Sequence, residues 1–466
     1  MSAPTNFNGS LHGQEVAAAA SAQWRVCAIV LLLFIVAATL GAMRKDITQG
    51  FDEVAHASYV AYLQHSGGKW PAFEDMRMLD PSGFHFTSEA NYLNHPSPYY
   101  LLLARVGPNL EGHPEAILIH RLLNVALAAI GLAALLAVGL VAKLPRLALY
   151  AYIVPVTAIP VLAPLAGAIN NDNAAFAGGG IATLAAFQLL LTGSRRWLLA
   201  ALCGVVAASW AKFTGLLLAG GLVGGVLLWL FWRGRLELGS IVLIAIAALL
   251  AGAPYIALLA QYGSPTPMTN GVIGMVKTGA QAVGWDSAPR LTPAPFAAHF
   301  VSEFVLEWMP TLKPRNAMNY AALTIPIVAA LAAFGGILVA MRRIADGKAS
   351  PLEIVTAAGA FAFAATFFIH GIFSYELHLE FGWLTTAYPR YYLPLAALFP
   401  LAGLSLLGAI QQPFARKMLL VFLDCRSLGI PHVRRTVGIA MLAILVRRQT
   451  PQSASFRLSR THPDVV

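Results

Sequence analysis

The stretch GFDEVAHASYVAYLQH opens on two adjacent acids, Asp52 and Glu53. His56 lies one helical turn beyond Asp52, and Tyr59 continues that face. A carboxylate so placed can take a hydroxyl proton as a general base, or give oxygen to a divalent cation such as Mg or Mn. Asp52 can equally do no more than cap the helix that starts at Glu53. Farther along, Pro96 holds Asn94 and His95 extended, while Ser97 and Pro98 suit a helix start. The run NHPSPYYLLLA therefore sets His95 in a rigid loop, or carries it incidentally at a helix start. The turn INNDN supplies Asn170, Asn171 and Asp172. A tight turn between apolar runs needs such residues for its own backbone groups. Asp172 is also a second carboxylate that would share one cation with Asp52. Two basic residues complete the set: Lys212, just after Trp210, and Arg390, in YPRYYLP next to Tyr391. An Arg fork and a Lys point charge suit a phosphate. Snorkelling toward lipid headgroups calls for the same residue types.

Whether these residues meet depends on the segments that carry them. The chain has 466 residues, 58% hydrophobic and only 11% charged, against about 25% charged in a soluble domain. Such a deficit suits a lipid-immersed helix bundle, whose outer and inner faces are both apolar. The net charge of +10 does not point to nucleic acid, because the Lys and Arg residues fall mostly between apolar spans and not on one soluble face. Cys27, Cys203 and Cys425 form no CxxC pair and have no metal-ligand spacing.

Spans of roughly 20 apolar residues are expected at 26–43, 118–142, 147–167, 173–192, 197–211, 213–232, 240–260, 320–341, 352–372 and 389–410. Arg44 and Lys45 follow the first, where a cleaved signal peptide would show small residues, so it reads as a retained helix. With residues 1–25 as a cytoplasmic tail, the short basic loops fall on the cytoplasmic side. They hold Lys143 and Arg146, Arg195 and Arg196, Arg233 and Arg235, Arg342, Arg343 and Lys348, then Arg416 and Lys417. The other side collects the loop 44–117, the INNDN turn, the turn at Lys212, the loop 261–319 and the stretch 373–390. All the candidate residues thus share the extracytoplasmic face. In the loop 261–319, His299, Glu303 and Glu307 recur every four residues beside a stripe of Phe300, Phe304 and Trp308, as in a helix lying along the membrane surface. The transmembrane domain spans 26–410, and the region 411–466 is basic and partly disordered. Its apolar run Val437–Val446 is short for a span and suits an interfacial or poorly formed helix.

One membrane helix, an Asp-Glu pair opening a loop helix, and HPxPYYLLLA leading into the next spans together resemble the GT-C class of membrane glycosyltransferases. The pattern looks like that of the protein O-mannosyltransferase and lipid A aminoarabinose transferase branch. The stretches NNDNAA, KFTGLLL and RYYLPL are similar to bacterial membrane proteins of that clan. The resemblance runs from Val26 to about Ile410 and rests on motif order. It implies an all-α polytopic bundle of GT-C type, with about ten to twelve spans. It implies Asp52, with Glu53, as catalytic acids, and Asp172 as the second acidic position, shared with Asp52 if a divalent cation is used. The donor would be a polyprenyl-phosphate-linked sugar, its phosphate near His95, Lys212, Arg390 and Tyr391. The acceptor would be an envelope glycan, lipid or protein, and transfer would invert the anomeric centre at the periplasmic face of the bacterial inner membrane. Membrane lipids are the other partners. HPSPYY departs from relatives with a bulkier residue between the prolines. The C-terminal portion also lacks the soluble periplasmic domain that some members use for acceptors. A lipid-linked saccharide flippase and a non-catalytic polysaccharide-assembly protein are the competing readings. Transporters bury ionisable groups near the midplane within repeated halves, and neither sign is evident here.

The topology is directly testable. Alkaline phosphatase fused within 44–117 should be active, and the same reporter fused at Lys143 should be inactive. An inactive fusion in the first loop would reverse the assignment.

Overall fold

A computed structural model describes residues 8–67, 70, 72–96, 98–307, 320–384 and 388–410, with side chains from residue 22 onward except 306 and 320–328. Ser97, Trp308 and the whole of 411–466, with its Val437–Val446 run, lie outside the described residues.

The chain is a multi-pass membrane protein of all-α class. Helix α1 (Asn8–Arg44) ends in the first loop, which folds on itself as α2 (Glu53–His65), the strands β1 (Arg77–Leu79) and β2 (Phe86–Ala90), and α3 (Pro98–Val106). The bundle continues through α4 (Ile117–Val141), α5 (Arg146–Thr157), α6 (Leu162–Ala166), α7 (Asp172–Thr192), α8 (Arg195–Ala211), α9 (Phe213–Trp232) and α10 (Leu238–Tyr262). Two helices, α11 (Asn270–Ala282) and α12 (Pro293–Glu307), lie in the loop that follows. Then come α13 (Tyr320–Ala345), α14 (Pro351–Phe381), a 3-10 segment Pro389–Leu395 and α15 (Leu398–Ala409).

Among the described residues, six helices are long and apolar enough to cross a membrane. The 3-10 segment and α15 form an apolar pair bent by 58°, the geometry of a broken span or of a re-entrant loop. Three expectations need adjustment. The run 147–167 is not one helix: Pro155 lies inside α5 and the helix gives way before α6, as expected where a proline removes a backbone bond and crowds the preceding turn. The span at 197–211 is a helix of 17 residues, about 25 Å long. The stretch FSYELHLEF, expected in a loop, is instead the last part of α14, which stops at Gly382 in the left-handed conformation.

Two cores result. One lies among the bundle helices, with Leu132, Tyr152, Phe176, Leu218, Leu398 and Leu401 buried in it. The other lies under the first loop, where Tyr59, Val60, Phe73, Met76, Tyr100 and Leu110 are buried together. The β1–β2 hairpin is antiparallel and its turn is tied by Asp80, which accepts from the backbone N–H groups of Ser82, Gly83 and His85. Those bonds hold the Asp80 carboxyl well below the usual carboxylate range, the Ser82 hydroxyl contributing most. The outward faces of the spans carry Leu33, Leu249, Phe361 and Phe368, all largely exposed, as a lipid-facing surface requires.

Helix α7 is the hub. Its run Gly178-Gly179-Gly180 touches three neighbours at backbone distance. A Cβ at 178 would stand 2.4 Å from Ala208 N on α8, one at 179 would stand 2.4 Å from Pro394 in the 3-10 segment, and one at 180 would stand 2.5 Å from Gly131 O on α4. The helix that begins with Asp172 is thereby seated against the helix that ends at Lys212 and the segment that carries Arg390. Replacing Gly178 or Gly179 with Val should destabilise the bundle by about 1–3 kcal/mol or more, since backbone cannot yield as a side chain can. Thermal unfolding in detergent measures it, and an unchanged melting temperature would refute this packing.

Candidate active site at one end of the bundle

The approach to Asp52 is unusual. Gly50, Phe51 and Asp52 have successive φ values of 85°, 63° and 57°. A non-glycine residue held there costs about 1–3 kcal/mol. Asp52 occupies the N-cap position of α2, but its side chain makes no cap bond, so the capping alternative does not hold. Its Oδ2 accepts from Arg390 Nη2 at 2.6 Å, and its Oδ1 accepts from Tyr92 OH at 3.2 Å. Burial, and next the charge of Asp52, push the Tyr92 phenol above its ordinary range, so it stays a proton donor.

Arg390 lies between two acids. Its Nε is 3.7 Å from Asp172 Oδ2, and the faces of Phe51, Tyr388 and Tyr391 surround its guanidinium at 5.9, 5.4 and 5.3 Å. Asp172 in turn accepts from Lys212 Nζ at 2.9 Å, and that ammonium stands 3.4 Å from the Tyr391 ring centroid. The result is a chain of alternating charge, Lys212, Asp172, Arg390, Asp52. Side-chain exposure along it is 8%, 1%, 13% and 40%, so only the Asp52 end opens widely. Several buried polar atoms in these segments have no hydrogen-bond partner: Arg390 Nε, Asp172 Oδ2, Asn171 Oδ1 and Thr214 Oγ1.

Two imidazoles sit nearby. Asn170 Nδ2 donates to Phe51 O at 2.8 Å and to His56 Nε2 at 3.0 Å, while its Oδ1 accepts from Asp172 N. That orientation of the amide assigns the His56 proton to Nδ1, which faces Tyr100 OH at 2.8 Å. His95 stacks on His56 with ring centroids 6.4 Å apart. Burial, then the charge of Lys212, hold both imidazoles well below their usual range. Both are neutral at neutral pH, and the charge of the site resides in its two acids and two cations.

Glu53 stands apart from this group. The resemblance pairs it with Asp52 as a catalytic acid, yet neighbouring helical residues point in different directions, and Glu53 turns into the protein. Arg121 Nε and Nη2 donate to its two oxygens at 2.8 and 2.9 Å. Lys45 Nζ donates to Oε2 at 3.0 Å and Ile169 N to Oε1 at 2.9 Å. Arg121 Nη1 also closes the carbonyls of Ala42 and Lys45 at the end of α1. Burial lowers the Lys45 ammonium, with Glu53 acting against it. Glu53 is therefore a buried tie joining α1, α2, α4 and the turn before α7; it holds Asp52 in place.

The divalent-cation expectation does not match this geometry. Mg or Ca-like ions need about six oxygen ligands. Between Asp52 and Asp172 stands the Arg390 guanidinium, and no group of three His, Cys, Asp or Glu suited to a metal occurs among the described residues. No step below passes through a metal.

Sequence reading did not single out Tyr92, Tyr388 or Arg121. Arg121 had a signal, since an ionisable residue one turn inside the apolar run ILIHRLLN asks for a partner. Tyr92 and Tyr388 had none beyond their place in outer loops.

No family model matches the chain, and no curated protein matches it. Among solved structures, the crystal structure of ArnT from Cupriavidus metallidurans bound to undecaprenyl phosphate is similar at 14% identity. The match covers 91% of this chain and 72% of that one, with a TM-score of 0.43.

The buried tie makes a quantitative expectation. Glu53→Gln leaves Arg121 buried without its acid, and Arg121→Met leaves Glu53 with Lys45 as its one charged partner; each should cost about 3–5 kcal/mol. Glu53→Gln with Arg121→Met should cost less than the sum, because the two groups are coupled. Unfolding free energies of the three variants check it; strict additivity would show that the pair does not act as a unit.

Proposed function

We propose that this protein is a membrane glycosyltransferase acting at the extracytoplasmic face, with a polyprenyl-phosphate-linked sugar as donor. The observation that carries the reading is the convergence of Asp52, Arg390, Asp172 and Lys212 from four separate segments onto one end of the bundle. A half-exposed carboxylate beside two nearly buried cations is what transfer from a lipid phosphate to a hydroxyl asks for.

In this scheme the donor approaches from the lipid and its phosphate reaches both Lys212 and Arg390. An ammonium and a guanidinium there stabilise negative charge as the bond from the anomeric carbon to the phosphate oxygen breaks. Asp52 takes the proton of the acceptor hydroxyl while that oxygen forms the new bond to the anomeric carbon, opposite the leaving phosphate, so the centre inverts. The polyprenyl phosphate departs into the membrane. Tyr92 orients the Asp52 carboxylate, and Tyr391 supports Lys212. His95 is a neutral imidazole close to the same groups, suited to a hydroxyl of either substrate. The acceptor class is an envelope glycan, lipid or protein, and the membrane is the bacterial inner membrane. The flippase alternative has less support: the charged groups gather at helix ends and in loops instead of at mid-span.

Asp52→Asn preserves shape and removes the base. Sugar incorporation into envelope material should fall by about 10²-fold to 10⁴-fold, with membrane insertion unchanged. Incorporation at the normal rate by an inserted Asp52→Asn protein would remove the enzyme reading.

A further inference from the structure

The alternating charges of the site sum to zero, so an incoming phosphate must displace one of its own acids from a cation. Two cations are candidates, Lys212 and Arg390. Lys212 is bound to Asp172 at 2.9 Å, and Asp172 is 1% exposed. Stripping Asp172 of its cations would leave a buried carboxylate without compensation, which is costly. Asp52 is different: its side chain is 40% exposed, and Tyr92 already satisfies Oδ1. It can lose Arg390 and be solvated by water.

The geometry around Arg390 favours the same direction. Its Nε and Asp172 Oδ2 face each other at 3.7 Å, just beyond a hydrogen bond, and each is buried with no hydrogen-bond partner. A shift of under an ångström toward Asp172 would satisfy both atoms and lengthen the contact to Asp52. The guanidinium lies over the rings of Phe51, Tyr388 and Tyr391, none of which donates or accepts at its Nε.

We infer that Arg390 is an exchangeable partner: a phosphate bound at Lys212 and Arg390 draws the guanidinium from Asp52 to Asp172 and so frees Asp52 as a base only when the donor is in place. Tyr92 is the positioning residue that keeps the freed carboxylate oriented. Donor binding then precedes activation of the acceptor, and an acceptor arriving first meets a carboxylate neutralised by Arg390. This rests on the assignment of Lys212 and Arg390 as the phosphate cradle.

Binding alone tests it, without knowledge of sugar or acceptor. The full chain is placed in phosphatidylcholine nanodiscs and titrated with undecaprenyl phosphate. Asp52→Asn removes the competitor for Arg390 and should tighten binding by at least about fivefold. Asp172→Asn removes the acceptor of the exchanged guanidinium and should weaken it by a similar factor. Simple charge repulsion predicts that both variants tighten, so tightening of both, or no change in Asp52→Asn, overturns the exchange. Tyr92→Phe alters no charge and should weaken binding severalfold, because the freed carboxylate loses its donor. It carries the test if Asp172→Asn fails to assemble by thermal unfolding, and unchanged affinity in Tyr92→Phe then overturns the exchange. If Arg390→Gln and Lys212→Gln bind the lipid as tightly as the unaltered protein, the phosphate cradle itself is wrong, a result distinct from failure of the exchange alone.

Discussion

A guanidinium placed between two carboxylates organises this end of the molecule. Arg390 meets Asp52 at 2.6 Å and Asp172 at 3.7 Å, and each acid belongs to a different part of the chain. Without Arg390 the two acids would lose the cation they share, leaving Lys212 on Asp172 as the remaining cation in the chain of charges. The arrangement also sets the order of exposure, from an acid that is almost wholly buried to one that meets water. That gradient gives the two carboxylates separate roles, although they are the same chemical group or nearly so in sequence context.

The site is held from beneath by a second set of charges. Glu53 accepts from Arg121, Lys45 and the Ile169 backbone, so the end of α1, the start of α2, the start of α4 and the turn before α7 are fastened at one point. Buried ion pairs contribute little net stability when compared with apolar packing, but removing one partner is severe. Here the pair also fastens the chain directly after the three successive left-handed residues Gly50, Phe51 and Asp52. The glycine run of α7 works at the level of packing: it brings α4, α8 and the 3-10 segment to backbone contact, which no side chain larger than hydrogen would allow. Charge and close packing therefore converge on the same two helix ends.

Much of the candidate site was legible in composition and order. Asp52 stands out by its spacing to His56, Asp172 by its place in the INNDN turn, and Lys212 and Arg390 as cations at the ends of apolar runs. The positive-inside pattern predicts that they share one side. Their pairing was not legible: Asp52 and Arg390 are separated by most of the chain, and no local rule joins them. Asp172 was read as a metal partner of Asp52, because two acids invite a cation; the cation between them is a side chain. Glu53 was grouped with Asp52 by adjacency, although adjacent helical positions face apart. His95 and Tyr391 lie where they were expected in the chain, but their contacts with His56 and Lys212 come from helices packed far from them in sequence.

What the amino-acid order determined by itself is the membrane class and the all-α character of the chain; from loop charge it also predicts a direction for the spans. Those follow from the cost of polar groups in hydrocarbon and from loop charge, which are local or additive along the chain. Tertiary structure decided which acid faces water, which is tied into the interior, and which cation each one meets. The physical reason is that burial and pairing depend on the contact of helices distant in sequence, set here by glycine faces and one buried ion pair, and an electrostatic role is a property of such surroundings more than of residue type.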